Sequence, residues 1–154
     1  MNDALYQEII LEHNRRPRNY HPMENASRMV EGHNPLCGDR VTVWVKLEGD
    51  RVTDVSFQGS GCAISRASAS LMTGAVRGKT RAEAEALFHR FHDLVTGRLD
   101  PDADPEASAA LGSLRALAGV ARFPTRVKCA SMAWHALHAA LARDTAPGAA
   151  GEPT

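Results

Sequence analysis

The sequence predicts an α+β fold, a small antiparallel three-stranded sheet covered on one side by helices. Two observations carry this. In the first half of the chain Val41, Val43, Val45 and Leu47 alternate with Thr42, Trp44 and Lys46, the period of two that sends alternate side chains to opposite faces of a strand. After Cys62 the apolar residues recur at helical spacing instead. A sheet with one apolar and one half-polar face needs cover on a single side, and antiparallel pairing permits that.

Taken in order, Ala4 to Asn14 carry Leu5, Ile9 and Ile10, flanked by Tyr6 and Leu11, and read as a short amphipathic helix. Arg15-Arg16-Pro17-Arg18-Asn19-Tyr20 ends it, because the residue before a proline avoids helical geometry. The three arginines read as a solvated turn. Ser27 to Gly32 reads as an edge strand. Val41 to Leu47 forms the clearest strand, Glu48-Gly49-Asp50 turns the chain, and Val52 to Phe57 returns with Val55 and Phe57 on one face. Gly59-Ser60-Gly61 is expected to break that strand.

Cys62 to Val76 reads as a helix with Ile64, Ala67, Leu71 and Ala75 on one stripe, and its many Ala and Ser residues permit close packing on the sheet. Gly78 closes it. Thr80-Arg81-Ala82-Glu83 has the form of a capping box, and the next helix presents Leu87, Phe88, Phe91, Leu94 and Val95. In the loop from Gly97 to Pro105, Asp100, Asp102 and Asp104 resemble the start of a calcium loop. Pro105 stands at the glycine position and Leu111 at the glutamate position. Asp104-Pro105-Glu106 therefore reads better as a cap, a first-turn proline and an acidic first turn. A short helix follows, then Leu114 to Ala118. Pro124 opens the last helix, whose buried stripe is Val127, Ala130, Trp134, Leu137 and Leu141; His135 and His138 fall off the stripe and are expected to face solvent.

Length and composition bound the function. The 154 residues suggest one domain, residues 1–142, with an Ala/Gly/Pro-rich tail from 143 to 154 expected to be disordered. Eighteen basic residues balance eighteen acidic ones, so no net field draws the chain to nucleic acid or to an anionic membrane. No apolar run has the length of a membrane span. The start, Met1-Asn2-Asp3-Ala4, lacks the basic region of a signal peptide, so a cytoplasmic location is expected. Three cysteines cannot all pair within one chain, and in a reducing compartment they point to metal ligation or reactive thiols.

The chemistry gathers around Asn34-Pro35-Leu36-Cys37-Gly38-Asp39, which puts a thiol and a carboxylate two residues apart in a Pro/Gly-framed loop. Cys62 follows Gly59-Ser60-Gly61 at a helix start, where backbone amides favour a thiolate. Cys129 lies in the second turn of the last helix, beside Lys128 and one turn after Arg126. Three thiols and one carboxylate are a full ligand set for a tetrahedral metal ion, and the reading adopted is that Cys37, Asp39, Cys62 and Cys129 converge. A divalent ion on that set leaves a formal charge of minus two, which Arg40, Arg126 and Lys128 could offset in part. The spacing holds no C-x-x-C signature, so three small buried cysteines remain an alternative. His33 competes with Asp39 as the fourth ligand. An oxygen among thiolates is a harder and more replaceable ligand, which points to turnover rather than a structural staple.

Four stretches together resemble a known family: Leu5-Tyr6 through Pro17-Arg18-Asn19; Asn34 to Asp39; Gly59-Ser60-Gly61-Cys62-Ala63-Ile64-Ser65; and Phe123-Pro124 through Arg126-Val127-Lys128-Cys129-Ala130. The chain resembles the NifU/IscU-type iron–sulfur assembly proteins, and within them the SufU branch, from about Leu5 to Leu141. Scaffolds of the IscU type carry histidine immediately before the last cysteine, where this chain has Lys128. The long interval between Cys62 and Cys129, with its Gly97–Pro105 loop, also fits the SufU branch. The resemblance implies zinc on Cys37, Asp39, Cys62 and Cys129. It implies that the chain accepts persulfide sulfur from a SufS-like cysteine desulfurase, with Cys37 as the acceptor and catalytic residue. A downstream iron–sulfur scaffold or apo-protein is the implied recipient. On that reading the chain is at most a sulfurtransferase. The alternative is a scaffold that builds an Fe–S cluster on the same ligands. Two further readings are a zinc hydrolase with Asp39 as base, whose ligands would more often be histidine and carboxylate, and a structural zinc domain.

Overall fold

A computed structural model describes residues 3–34 and 38–142. Cys37 and the tail from 143 to 154 lie outside the described residues. The elements run α1 (Asp3–Arg15), β1 (Arg28–Asn34), β2 (Asp39–Glu48), β3 (Arg51–Ser60), α2 (Ala63–Val76), α3 (Arg81–Val95), α4 (Pro105–Leu111), a run of 3₁₀ turns (Gly112–Arg122) and α5 (Pro124–Ala142). The strands form one antiparallel sheet in the order β1-β2-β3. This is the predicted α+β architecture.

The period of two in β2 sets the faces. Val41, Val43 and Val45 are buried, while Thr42, Trp44 and Lys46 are only half-buried. Their partners share the inner face: Val30 opposite Val43 on one side, and Phe57 and Val55 opposite Val43 and Val45 on the other. Helix α5 packs across β1 and β2, and α2 packs against β3. Gly32, opposite Val41, lies close under α5. A methyl there would lie 3.1 Å from Val41 Cγ1 and 3.2 Å from Met132 Cγ.

Helix α2 is buried nearly all round, including Ser65, Ser68, Ser70 and Thr73. Its small residues serve α1 and α5 as much as the sheet. Buried hydroxyls need partners, and three of these have them: Ser68 donates to the Ala130 carbonyl at 2.5 Å, Ser70 Oγ accepts the Arg18 N–H at 2.8 Å, and Thr73 donates to the Ser70 carbonyl at 2.7 Å. The capping box at the start of α3 is formed in both directions between Thr80 and Glu83. Farther along α3, Phe91 stacks on Trp134 of α5 with ring centroids 4.6 Å apart. Asp104 caps α4 by accepting from the Ala107 N–H at 3.1 Å.

Three local expectations need correction. β3 does not break at Gly59 but continues to Ser60, because Tyr20 brackets it. The Tyr20 hydroxyl donates to the Gly59 carbonyl at 2.8 Å, and the Phe57 N–H donates to the Asn19 carbonyl. The Arg15–Tyr20 turn is therefore clamped by its backbone although its arginines are exposed. Leu5 and Leu11 of α1 are 53% and 42% exposed, so that helix is seated through half-buried Ile9 and Ile10. His135 and His138 are only half-exposed, since both rings pack on Phe88 of α3. No helix among the described residues is long and apolar enough to cross a membrane.

Candidate metal centre

Three of the four expected ligands come together at one end of the sheet. Asp39 is the first residue of β2 rather than a loop residue, and it continues the inward phase of Val41, Val43 and Val45. That phase carries its carboxylate onto the helix-covered face, where only 5% of the residue is exposed. Cys62 is the N-cap of α2, one residue before the helix proper. Its backbone is extended (φ −72°, ψ 169°) and its side chain makes no capping hydrogen bond. Cys129 is buried in the second turn of α5, the helix that covers β1 and β2.

The two thiols and a carboxylate oxygen of Asp39 lie within 4.8 Å of one another. Bonds of about 2.0–2.3 Å to a tetrahedral ion hold its ligands about 3–4 Å apart, so small side-chain adjustments close the set. Asp39 Oδ2 is buried without a hydrogen-bond partner. A buried carboxylate oxygen left unpaired is unfavourable by itself, and a bound cation would satisfy it. The donor set of sulfur and oxygen fits zinc, and equally the iron of a cluster. These are the only three or more Cys, His, Asp or Glu side chains grouped in this way among the described residues.

Gly61 belongs to this site, a role that its place in the Gly59-Ser60-Gly61-Cys62 stretch does not reveal. A methyl at Gly61 would lie 2.9 Å from Asp39 Cγ and 3.0 Å from Oδ1. The missing side chain is what leaves room for the carboxylate beside Cys62. No one-dimensional pattern reveals this contact, because it joins the end of β3 to the start of β2. His33 does not compete with Asp39. It pairs with Arg40, out of phase with the Asn34–Asp39 pair, and is exposed on the opposite face. Arg40, Arg126 and Lys128 are all exposed, and the Arg126 guanidinium sits over the ring of exposed Phe123 at 6.0 Å.

Comparison with known proteins agrees with this geometry. The NifU-like N-terminal domain model matches residues 5–130. The chain is 42% identical over 142 residues to the zinc-dependent sulfurtransferase SufU of Bacillus subtilis strain 168, covering 92% of each protein. It is also 42% identical over 139 residues to the iron–sulfur cluster assembly scaffold protein IscU of Streptococcus pyogenes serotype M1, covering 90% of this chain and 84% of that protein. Among solved structures, a Fervidobacterium islandicum protein named for iron–sulfur cluster scaffolding in the SUF system superposes with a TM-score of 0.79. It shares 33% identity, over 92% of this chain and 99% of the other. The matched stretch contains the whole of the sheet, α2 and the Cys129 turn of α5, and the chain is a SufU-type member of the NifU/IscU iron–sulfur cluster assembly family.

Proposed function

We propose that this chain is a zinc-bound sulfur acceptor in iron–sulfur cluster assembly, taking persulfide sulfur from a cysteine desulfurase in the cytoplasm and passing it on. The observation that carries the proposal is the pairing of two thiols with a buried carboxylate whose Oδ2 has no partner. A purely structural zinc site is ordinarily closed by Cys and His; the carboxylate is the more replaceable ligand. The zinc-dependent name of the Bacillus relative supports the choice of metal.

In this reading Cys37, Asp39, Cys62 and Cys129 hold the ion. Bound zinc keeps its thiol ligands deprotonated near neutral pH. The chain's own residues do the rest. Asp39 and Cys129 are fixed and buried, so they keep water away from the inner side of the site. Cys37 supplies the nucleophile. Its thiolate attacks the outer sulfur of the donor's cysteine persulfide, a new S–S bond forms, the donor's S–S bond breaks, and the donor cysteine leaves as a thiolate. Cys37 then carries the persulfide, and no outside oxidant or reductant is needed. Arg126 and Lys128, exposed in the turns of α5 next to Cys129, favour the approach of an anionic persulfide.

The scaffold reading uses the same ligands for a cluster, and the Streptococcus relative bears a scaffold name. Lys128 in place of the histidine that scaffolds of the IscU type carry favours the relay. Incubation with a matching desulfurase and cysteine, followed by mass spectrometry of peptides, separates the two. The expected result is colourless, zinc-containing protein with one added sulfur on the Cys37 peptide, and no stimulation of the desulfurase by Cys37→Ser. Brown protein with iron and sulfide on the same residues would establish the scaffold reading instead. Sulfur confined to Cys62 or Cys129 would displace Cys37 as the acceptor.

A further inference from the structure

Tyr20 joins the two chain segments that meet at Cys62. Strand β3 is an edge of the sheet, so the backbone groups on its outer side need partners from elsewhere. The Arg15–Tyr20 turn supplies them. The Phe57 N–H donates to the Asn19 carbonyl at 3.0 Å. Two residues on, the Tyr20 hydroxyl serves both backbone groups of Gly59: it donates to the carbonyl at 2.8 Å and accepts the N–H at 3.3 Å. The ring stands at 89° to that of Phe57, with centroids 5.0 Å apart. Over the Tyr20 ring lies the Arg66 guanidinium, 5.3 Å from the centroid, within the range of a cation–π contact. The turn is fixed from the helix side as well. The Asn19 side chain donates to Thr73 Oγ1 at 3.0 Å, and the Arg18 N–H and His13 Nδ1 both meet the Ser70 hydroxyl. Ser70 and Thr73 are fully buried, so Tyr20 stands on a rigid base.

Gly59 and Arg66 lie on either side of Cys62. Only Ser60 and Gly61 separate Gly59 from Cys62, and Gly61 is the residue whose missing side chain makes room for the Asp39 carboxylate. Gly59 has no slack toward β2, since a methyl there would collide with the carbonyl oxygen of Arg40, the neighbour of Asp39. On the other side, the Arg66 backbone N–H donates to the Cys62 carbonyl at 3.1 Å and closes the first turn of α2. The Arg66 Nε is buried without a hydrogen-bond partner, so the face of the Tyr20 ring is what this guanidinium meets there. Cys62 makes no side-chain capping hydrogen bond of its own. Its place therefore depends on the backbone before and after it, and Tyr20 touches both.

We infer that Tyr20 is a positioning residue of the metal centre: it holds Gly59 through its hydroxyl and Arg66 through its ring, and so sets where Cys62 stands relative to Asp39. The inference rests on the reading of Asp39, Cys62 and Cys129 as ligands of one ion, and it adds a residue outside that set. Small displacements matter here. The ligand atoms lie within 4.8 Å of one another, and a tetrahedral ion needs them about 3–4 Å apart. Without the hydroxyl, water takes over the Gly59 groups, and the strand end that leads into Gly61 and Cys62 gains freedom.

The test pairs zinc affinity, from competition with a chromophoric chelator, with the absorption spectrum of the cobalt(II)-substituted chain. Tyr20→Phe removes the hydroxyl and keeps the ring against Phe57 and Arg66. It should weaken zinc binding roughly 3- to 10-fold, short of the ~10–100-fold lost with a group that bonds a metal ligand directly, and shift the cobalt d–d bands. Arg66→Met takes the cation off the ring and should weaken zinc binding about 2- to 5-fold. Thr80→Ala is the control for general stability. Thr80 caps α3 and bridges Arg51, at the end of β3 opposite Cys62. Its loss should lower Tm and leave zinc affinity and the cobalt bands unchanged. Cys62→Ser checks the ligand reading and should reduce the thiolate-to-cobalt absorption. Wild-type affinity and bands in Tyr20→Phe overturn the positioning role, and the ligand reading still stands if Cys62→Ser loses that absorption. An equal loss of zinc affinity in Thr80→Ala also overturns the role, by making the effect one of stability. Should circular dichroism show Tyr20→Phe unfolded, wild-type affinity and bands in Arg66→Met overturn it instead. A wild-type chain with no thiolate-to-cobalt absorption removes the metal centre, and this inference with it.

Discussion

Replacing Asp39 by alanine should move stability in opposite directions depending on whether metal is present. Asp39 is buried, and one of its oxygens has no hydrogen-bond partner. Removing an unsatisfied buried oxygen relieves about 1–3 kcal/mol. Deleting the carboxylate leaves a small cavity that costs about 1 kcal/mol. The metal-free variant should therefore be as stable as the wild type or more so, by up to about 2 kcal/mol. In a chain of 154 residues, each kcal/mol moves Tm by about 3 °C. The metal-free variant is thus expected to melt at the wild-type temperature or up to about 6 °C above it. With metal the order reverses. Loss of a ligand should weaken binding by at least the ~100-fold seen at the upper end for groups that merely orient ligands. That removes about 2.7 kcal/mol of metal-linked stability, more than the relief the substitution brings. The zinc-loaded variant should melt about 2–8 °C below the zinc-loaded wild type. Paired thermal melts with and without zinc, alongside competition with a chromophoric chelator, measure both quantities. A metal-free variant that melts several degrees lower, with zinc affinity unchanged, would refute the reasoning and make Asp39 a structural residue.

Two further predictions concern packing and pH. Gly61→Ala should push the Asp39 carboxylate by a few tenths of an ångström, because the new methyl would stand 2.9 Å from Asp39 Cγ; zinc affinity should fall roughly 5- to 100-fold, the equivalent of about 1–3 kcal/mol of overpacking, while far-UV circular dichroism stays unchanged. Burial, and then the neighbouring His92 and His138 rings, hold His135 below its ordinary pKa of 6.5. The unfolded chain therefore takes up that proton first as the pH falls, and the stability from neutral His135 is complete above about pH 6.5 and is lost below it until the folded-state pKa is reached. Burial and Arg18 lower His13 in the same way. Urea unfolding at pH 7.5 and pH 5.5 should show lower stability at the acid pH, with a smaller difference in His135→Asn; an equal difference in both proteins would remove His135 as a cause.

Much of the fold was legible because strong local signals agree with the tertiary structure. The alternating valines of β2 fixed which face is buried. Thr80-Arg81-Ala82-Glu83 and Asp104-Pro105-Glu106 marked two helix starts that the structure keeps. Misreadings arose where distant chain segments decide the outcome. Leu5 looks like core in a helical pattern, yet α1 lies at the edge and leaves it exposed. Gly59 looks like a strand end, yet Tyr20, far back in the chain, holds β3 through it. The His89–His138 pair crosses two helices, so reading α5 alone sent His138 to solvent. At the candidate centre the convergence of Asp39, Cys62 and Cys129 was legible from their residue types. The need for Gly61 was not, since a missing side chain leaves no periodic trace.

The three candidate ligands that the structure describes are unequally placed, and this bears on which cysteine would receive sulfur in the proposed relay. Cys129 is 4% exposed in the second turn of the helix that covers the sheet, so an incoming persulfide reaches it only if that end of α5 moves off the sheet. Cys62 is exposed. Its carbonyl, however, accepts the Arg66 N–H at 3.1 Å in the first turn of α2. Carrying Cys62 outward to a partner would unwind a helix start buried from Ile64 onward. Cys37 stands between Pro35 and Gly38, next to a glycine that is exposed and has φ +75°, a conformation few other residues adopt readily. Gly38 lies between β1 and β2, outside every helix, so in the proposed relay a reaction at Cys37 leaves in place the helix starts that carry Cys62 and Cys129. Access excludes Cys129 and helix integrity disfavours Cys62. Within the proposed relay these two observations favour Cys37 as the acceptor, and the added sulfur on its peptide is the test.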